Sequence, residues 1–163
     1  AAERDSLKIV ADQFGAPTGA DLIADVTALA LYCLLNTPRE CRSDFSPTPN
    51  VDVSPMPDLR APLFGSDVKA FSGTYHLVAS GETTWHGYAQ YVINEALRFG
   101  ATLKASPESI HAIGTADYFL PASRPSNSRL ANSKLCNRFR LTLPPWQLHV
   151  QRLIAELIES TQS

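Results

Sequence analysis

The chain has 163 residues, with 14 Lys+Arg against 16 Asp+Glu for a formal charge of −2, 44% hydrophobic residues, 18% charged residues and 12 prolines. That balance fits one globular domain of ordinary size. It excludes a nucleic-acid binder driven by bulk positive charge and a wholly disordered chain, which would be apolar-poor and more charged. No stretch reaches the roughly 20 apolar residues of a membrane helix; the longest apolar-rich run, Ala20 to Leu35, is broken by Asp21, Asp25 and Thr27.

Leu7 to Ala11 reads as a short buried strand, and Asp12 to Pro17 as a loop punctuated by Gly15 and Pro17. Thr18 is a candidate N-cap, with Asp21 three residues on, for a helix over 18–36 whose apolar positions are Leu22, Ile23, Val26, Leu29, Ala30, Cys33 and Leu34. Residues 37–71 differ in kind. With Asn36 they hold Pro38, Pro47, Pro49, Pro55, Pro57 and Pro62, half the prolines of the chain, and show neither helical nor alternating periodicity. They read as an inserted surface loop.

Gly73 to Ala79 predicts a β-strand, and Ser80-Gly81 a turn. Thr83 or Thr84 then caps a helix carrying Trp85, Tyr88, Ala89, Val92, Ile93, Ala96 and Leu97, which Gly100 ends. Residues 101–129 are mixed, with Ile110 to Ile113 as a short strand. Asn132 or Ser133 opens a short helix through Leu135 and Phe139. Pro144 or Pro145 starts the last one, with Trp146, Val150, Leu153, Ile154, Leu157 and Ile158 as its apolar stripe. This order describes a small α/β unit with too few strands for an independent sheet.

The chemistry is sparse. The glycines never approach GxGxxG, there is no P-loop, and no Tyr precedes a Lys by four positions. His76, His86, His111 and His149 are spread out and read as packing or surface residues. Cys33, Cys41 and Cys136 form no CxxC or zinc spacing and read as reduced thiols, with a Cys33–Cys41 disulfide as the minor alternative. Asp21/Asp25 and Glu156/Glu159 read as solvated helix faces, and Trp85 and Trp146 as core-filling residues at helix starts.

Two loops carry more. Asp12 to Gly19 is either a plain strand-to-helix turn or an anion- and polar-ligand-binding helix start. Pro121 to Arg129 places Arg124 and Arg129 among Ser and Asn side chains; it is either a solvated basic loop or a phosphate-binding one.

Read as motifs, Asp12-Gln13-Phe14-Gly15-Ala16-Pro17-Thr18, Ala24-Asp25-Val26-Thr27, Gly73 to Ala79, Thr83 to Ala89, Arg124 to Leu130 and Leu143-Pro144-Pro145-Trp146 together resemble the dTDP-4-dehydrorhamnose reductase family of extended short-chain dehydrogenases. The resemblance runs over residues 3–35 and 72–160 in the family's order. It implies the C-terminal, substrate-binding part of such a protein, lacking most of the Rossmann domain. On that basis residues 1–36 hold a last Rossmann-side strand, the substrate loop and a helix, and residues 72–163 the sugar-nucleotide-binding part. The family reduces dTDP-4-dehydro-L-rhamnose to dTDP-L-rhamnose with NADPH or NADH, for cell-surface polysaccharide such as lipopolysaccharide O-antigen.

The resemblance further implies substrate contacts at Gln13, Pro17, Thr18, Arg124, Asn127 and Ser128, with a dTDP-sugar as ligand. It implies no catalytic or cofactor-binding residue in this chain, the cofactor belonging to an N-terminal domain. The lack of an initiator Met and of a signal peptide fits a chain that starts inside a longer cytoplasmic protein. Relatives that pair through magnesium would place it on Asp21 and Glu156. Partners would be a homodimer mate or a missing N-terminal half, with no nucleic acid or membrane. The chain alone is then expected to be inactive. The rival is a non-catalytic binding or interaction module, as in the related regulatory subunit of methionine adenosyltransferase.

Three departures stand out: the long loop 37–71, Ala131 in place of an acidic or amide residue, and Arg140 where a helix-ending Gly is usual.

Overall fold

A computed structural model describes residues 3–35, 71–118, 122 and 124–162. The Pro-rich segment, apart from Phe71, and Cys41 lie outside the described residues. The chain divides into two compact units, residues 1–24 with 75–163, and residues 25–74. Of the second unit the described residues are 25–35, within helix α1 (Ala20–Leu35), and 71–74; Val26 and Phe71 are buried.

The first unit is a mixed helix and strand structure. Strand β1 (Leu7–Val10) pairs in parallel with β4 (Ile110–Ile113), Leu7 opposite Ile110 and Val10 opposite Ile113. A parallel pair cannot be joined by a tight turn, and these two strands lie about a hundred residues apart in sequence, Leu7–Val10 and Ile110–Ile113. Helix α2 (Trp85–Arg98) lies against both strands. Ile93, Ala105 and Ile110 form the buried centre there, with Leu7, Ile9, Ala89 and Leu103 packed around it.

Both ends of α2 follow from sequence. The Thr84 hydroxyl accepts the Gly87 N–H at 3.1 Å, the N-cap bond. Gly100 sits at φ 87 and its N–H reaches the Leu97 carbonyl at 3.0 Å, while Ala101 N–H reaches Ala96 at 2.9 Å. That pair of bonds is the Schellman ending, which favours glycine because the left-handed conformation penalises a Cβ.

A second core gathers around helix α4 (Trp146–Gln162), which also packs on α2. Trp146 is buried, with the Tyr91 ring 5.0 Å and the Tyr88 ring 6.1 Å from its own. Val150 and Ile154 continue the buried stripe, but Leu153 and Leu157 are exposed, so the inward face is narrower than the apolar pattern suggested. Short helix α3 (Ser133–Phe139) buries Leu135 and Phe139, and the Phe139 ring meets Tyr75 edge-on at 5.6 Å.

Three expectations change. Residues 73–79 form no strand, and at the end of this stretch side chains take the backbone bonds. Thr18 accepts the Ala79 N–H at 3.1 Å, and the Asn132 amide donates to the Val78 carbonyl at 3.1 Å. Only Ser80 joins a bridge, to Pro145, with Ser80 N–H on Pro144 at 2.9 Å and Trp146 N–H on Ser80 at 3.1 Å. Thr18, in turn, does not serve as the cap of α1: its hydroxyl donates to the Ala16 carbonyl at 3.2 Å and holds residue 79. Trp85 is not a core residue; 53% of it is exposed.

Arg140 takes the expected glycine position at a cost. At φ 51 and ψ 45 it is the one non-glycine with positive φ among the described residues. Leu141 N–H bonds to the Cys136 carbonyl at 2.9 Å, so the helix still closes. Replacing Arg140 by Gly is expected to stabilise the fold by about 1 kcal/mol, read as a melting point a few degrees higher. Ile93→Ala is expected to lose about 2–5 kcal/mol, measured by denaturant unfolding.

Candidate functional site

The short strand β2 (Phe14–Gly15) pairs antiparallel with β3 (Thr83–Thr84), Phe14 opposite Thr84. The other edge of this short strand is also filled: the Phe14 N–H donates to the Ser126 carbonyl at 2.9 Å and its carbonyl accepts from Ser128 N–H at 2.8 Å, so both of its backbone groups go to the Arg124 loop. This strand thus ties the Gln13–Thr18 loop, the start of α2 and the Arg124 loop into one wall. They enclose a cleft of about 590 Å³, whose lining includes Gln13, Pro17, Thr18, Trp85, Arg124 and Ser128.

Five of the six residues expected to contact substrate therefore come together: Gln13, Pro17, Thr18, Arg124 and Ser128. Asn127 bridges Phe14 and spends its side chain on a neighbour. Its carbonyl oxygen accepts from Arg129 Nε at 2.9 Å and Arg129 N–H at 3.1 Å. The two loop arginines divide accordingly. Arg129 is held by Glu82 at 2.8 Å and lies over the Phe14 ring at 5.2 Å. Arg124 is exposed at the cleft and, among the described residues, has no ion pair. Sequence reasoning could not separate the two, because the separation depends on Glu82, 47 positions from Arg129 in the chain.

Trp85 is the residue that sequence reasoning placed wrongly. It lines the cleft with its ring edge-on to Tyr88 at 6.3 Å. The available signal was its place at the first position of α2, directly after the cap Thr84, where a side chain projects beyond the helix body.

Beneath the cleft, Asp12 accepts the Thr115 hydroxyl at 2.6 Å and the Thr115 N–H at 2.9 Å. The same hydroxyl receives Gln13 Nε2 at 3.1 Å. His86 Nε2 meets the Ile110 carbonyl at 3.1 Å and serves packing.

A second groove of about 430 Å³ holds Asp21, His149, Arg152 and Glu156, sharing Pro17, Thr18 and Tyr88 with the cleft. The expected magnesium positions do not fit a metal here. Asp21 is spent on Arg152 at 3.0 Å, on His149 Nδ1 at 3.2 Å and on the Leu22 N–H at 2.9 Å. A hard dication needs about six oxygens, and no group of three or more His, Cys, Asp or Glu among the described residues could hold a metal ion. Among the described residues no helix is long and apolar enough to cross a membrane.

The bonds from the Thr115 hydroxyl and then its N–H hold the Asp12 carboxyl below its ordinary value. A folded-state pKa below the unfolded one contributes stability above pH about 4, and that contribution is lost as the pH falls further. Asp12→Asn is therefore expected to lower the melting point at pH 7, and the gap to the parent chain should narrow on acidification through pH 4. Asp21 and Glu108, whose carboxyls are also held low, keep some acid sensitivity in both proteins.

The comparisons with known proteins agree with this picture. A family model described as the RmlD substrate binding domain matches residues 46–159. The dTDP-4-dehydrorhamnose reductase of Salmonella typhimurium is 39% identical over 161 residues, covering 99% of this chain and 43% of the relative. A crystal structure of a dTDP-4-dehydrorhamnose reductase from Clostridium acetobutylicum superposes with TM-score 0.62 at 19% identity, over 98% of this chain and 40% of that one. The Bacillus anthracis reductase in complex with NADP superposes with TM-score 0.58 at 21% identity, over 94% and 39%. The chain thus spans about two fifths of the length of the relatives it matches. Because the family model covers well over half of its residues, the chain belongs to the RmlD substrate-binding domain family.

Proposed function

We propose that this chain is the substrate-side part of a dTDP-4-dehydrorhamnose reductase and binds the nucleotide-sugar in the cleft beneath Phe14. The observation that carries this reading is Arg124, an arginine without an ion pair among the described residues, at a cleft that otherwise offers neutral hydrogen-bonding groups. A guanidinium in that state suits a diphosphate, which it can bind through two parallel charge-assisted bonds. Ser128 adds a neutral donor on the same loop, and Asn127 holds the loop in shape through Arg129. The half-exposed Trp85 ring suits an apolar ring face of the ligand, and Gln13, Pro17 and Thr18 complete the lining.

In the complete reaction, NADPH or NADH supplies hydride to the C4 carbonyl. The NADP complex of the Bacillus anthracis relative supports that cofactor class. This sequence has neither the glycine pattern of a dinucleotide loop nor a Tyr–Lys pair at four-residue spacing. We therefore assign this chain binding and orientation of the sugar nucleotide, with no turnover by itself. A cytoplasmic site of action fits a nucleotide-sugar substrate and reduced thiols. Leu148, Leu153 and Leu157, exposed on α4, favour a second reading as an interaction module, which co-purification of a stoichiometric partner would support.

Calorimetric titration of the chain separates these roles. dTDP should bind saturably and NADPH should not. Arg124→Ala should weaken dTDP by about 10–100-fold and flatten its salt dependence, and Trp85→Ala by about tenfold. Equal binding of NADPH, or dTDP affinity indifferent to Arg124, would remove the proposal.

A further inference from the structure

Gln13 is the one buried polar residue of the described core, 8% exposed, and it lines the cleft. A glutamine amide has a donor end and an acceptor end, and which end faces a ligand decides what the ligand must carry. Here neighbouring groups settle that choice. A carboxylate only accepts, so the single Thr115 hydroxyl proton goes to Asp12, 2.6 Å away. The Thr115 N–H donates to the same carboxylate at 2.9 Å and fixes Thr115 at the first position of its 3₁₀ turn. With its proton committed, the Thr115 oxygen can only accept, and the Gln13 NH₂ fills it at 3.1 Å. Turning the amide over would set oxygen against oxygen. The acceptor end of Gln13 is thereby left for the cleft.

We propose that Asp12 and Thr115 are positioning residues that lock the Gln13 amide with its carbonyl oxygen as an acceptor in the cleft. The site then selects a ligand bearing an N–H or O–H donor at this wall. The arrangement resists inversion, because Asp12 and Gln13 flank the end of β1 while Thr115 follows β4, and the parallel β1–β4 ladder holds those ends together. Ala11 N–H extends that ladder by a bond to the Ile113 carbonyl at 2.9 Å.

The inference rests on the sugar-nucleotide reading for the ligand's identity. In such a ligand the donor is the imide N–H of the pyrimidine, the 3′-hydroxyl of the deoxyribose or a hydroxyl of the rhamnose. Calorimetry with dTDP, its N3-methyl derivative and dTDP-L-rhamnose distinguishes them. Gln13→Leu is expected to weaken at least one of dTDP and dTDP-L-rhamnose by about tenfold. If the imide is the donor, N3-methylation costs the parent chain a similar factor and costs Gln13→Leu nothing further. If the deoxyribose 3′-hydroxyl is the donor, Gln13→Leu weakens both ligands and N3-methylation costs the parent chain nothing; if a rhamnose hydroxyl is the donor, dTDP is unaffected and only dTDP-L-rhamnose weakens.

Thr115→Val should reproduce the Gln13→Leu loss, and Thr115→Ser, which keeps the hydroxyl, should restore parent affinity. If Thr115→Val does not fold, Asp12→Ala takes its place. Asp12 is exposed, and its removal frees the Thr115 proton, so the amide can turn over and affinity should fall. Parent affinity of Gln13→Leu for both ligands overturns the inference. So does parent affinity of the folded positioning variant beside a weakened Gln13→Leu. Failure of the parent chain to bind either ligand overturns the sugar-nucleotide reading and this inference with it, whereas the first two results leave that reading standing.

Discussion

The cleft depends on the backbone of Phe14. An extended segment has two hydrogen-bonding edges; the N–H and carbonyl of Phe14 both go to Ser126 and Ser128 on one edge, and on the other edge Phe14–Gly15 pairs with β3. Three segments distant in sequence are therefore held at ladder spacing around a two-residue strand. Their side chains cannot drift apart without breaking backbone bonds. Because side chains alternate along an extended segment, the same constraint gives Gln13 and Phe14 different surroundings: Gln13 is buried at the cleft, and Phe14 lies beneath Arg129.

The loop that carries Arg124 has few interactions of its own, since residues 124–131 are all exposed. Its shape comes from Arg129, which joins Glu82, Asn127 and the Phe14 ring. Exposed ion pairs contribute little stability singly, but a guanidinium engaged on three sides can set a loop's geometry. Arg129 organises the loop and Arg124 faces the ligand. Similar residues in one short motif thus serve different ends. The groove beside the cleft shows the same economy: Asp21, which a list of carboxylates would offer to a metal, instead joins the start of α1 to His149 and Arg152 of α4. Gly19 permits that approach, since a Cβ there would come within 3.0 Å of the His149 Cβ.

Much of the fold was legible residue by residue. Strands β1 and β4, the span of α2 with a threonine cap at 83 or 84 and its Gly100 ending, and the short α3 all rest on local rules that need no knowledge of distant partners. The family resemblance marked Arg140 as standing where a helix-ending Gly is usual, and the structure resolves that departure by strain, with Arg140 itself left-handed. The failures share one cause. Residues 73–79 look like a strand, but strands need partners, and here Thr18 and Asn132 side chains take the backbone groups at the end of the stretch. Trp85 looks like core and is not, because burial depends on what packs against a helix start rather than on the side chain's own hydrophobicity.

By itself the sequence determined the helices, the strands β1 and β4, the ends of α2, the two loops worth attention and the family resemblance, all of which depend on local pattern. Tertiary structure decided which arginine is free to face a ligand, which tryptophan is buried, and that Asp21 meets His149 and Arg152. It also decided which end of the Gln13 amide remains available. Each of these depends on a partner far along the chain, at Glu82, Tyr91, Arg152 or Thr115, and pairing across such distances is a property of the packed fold.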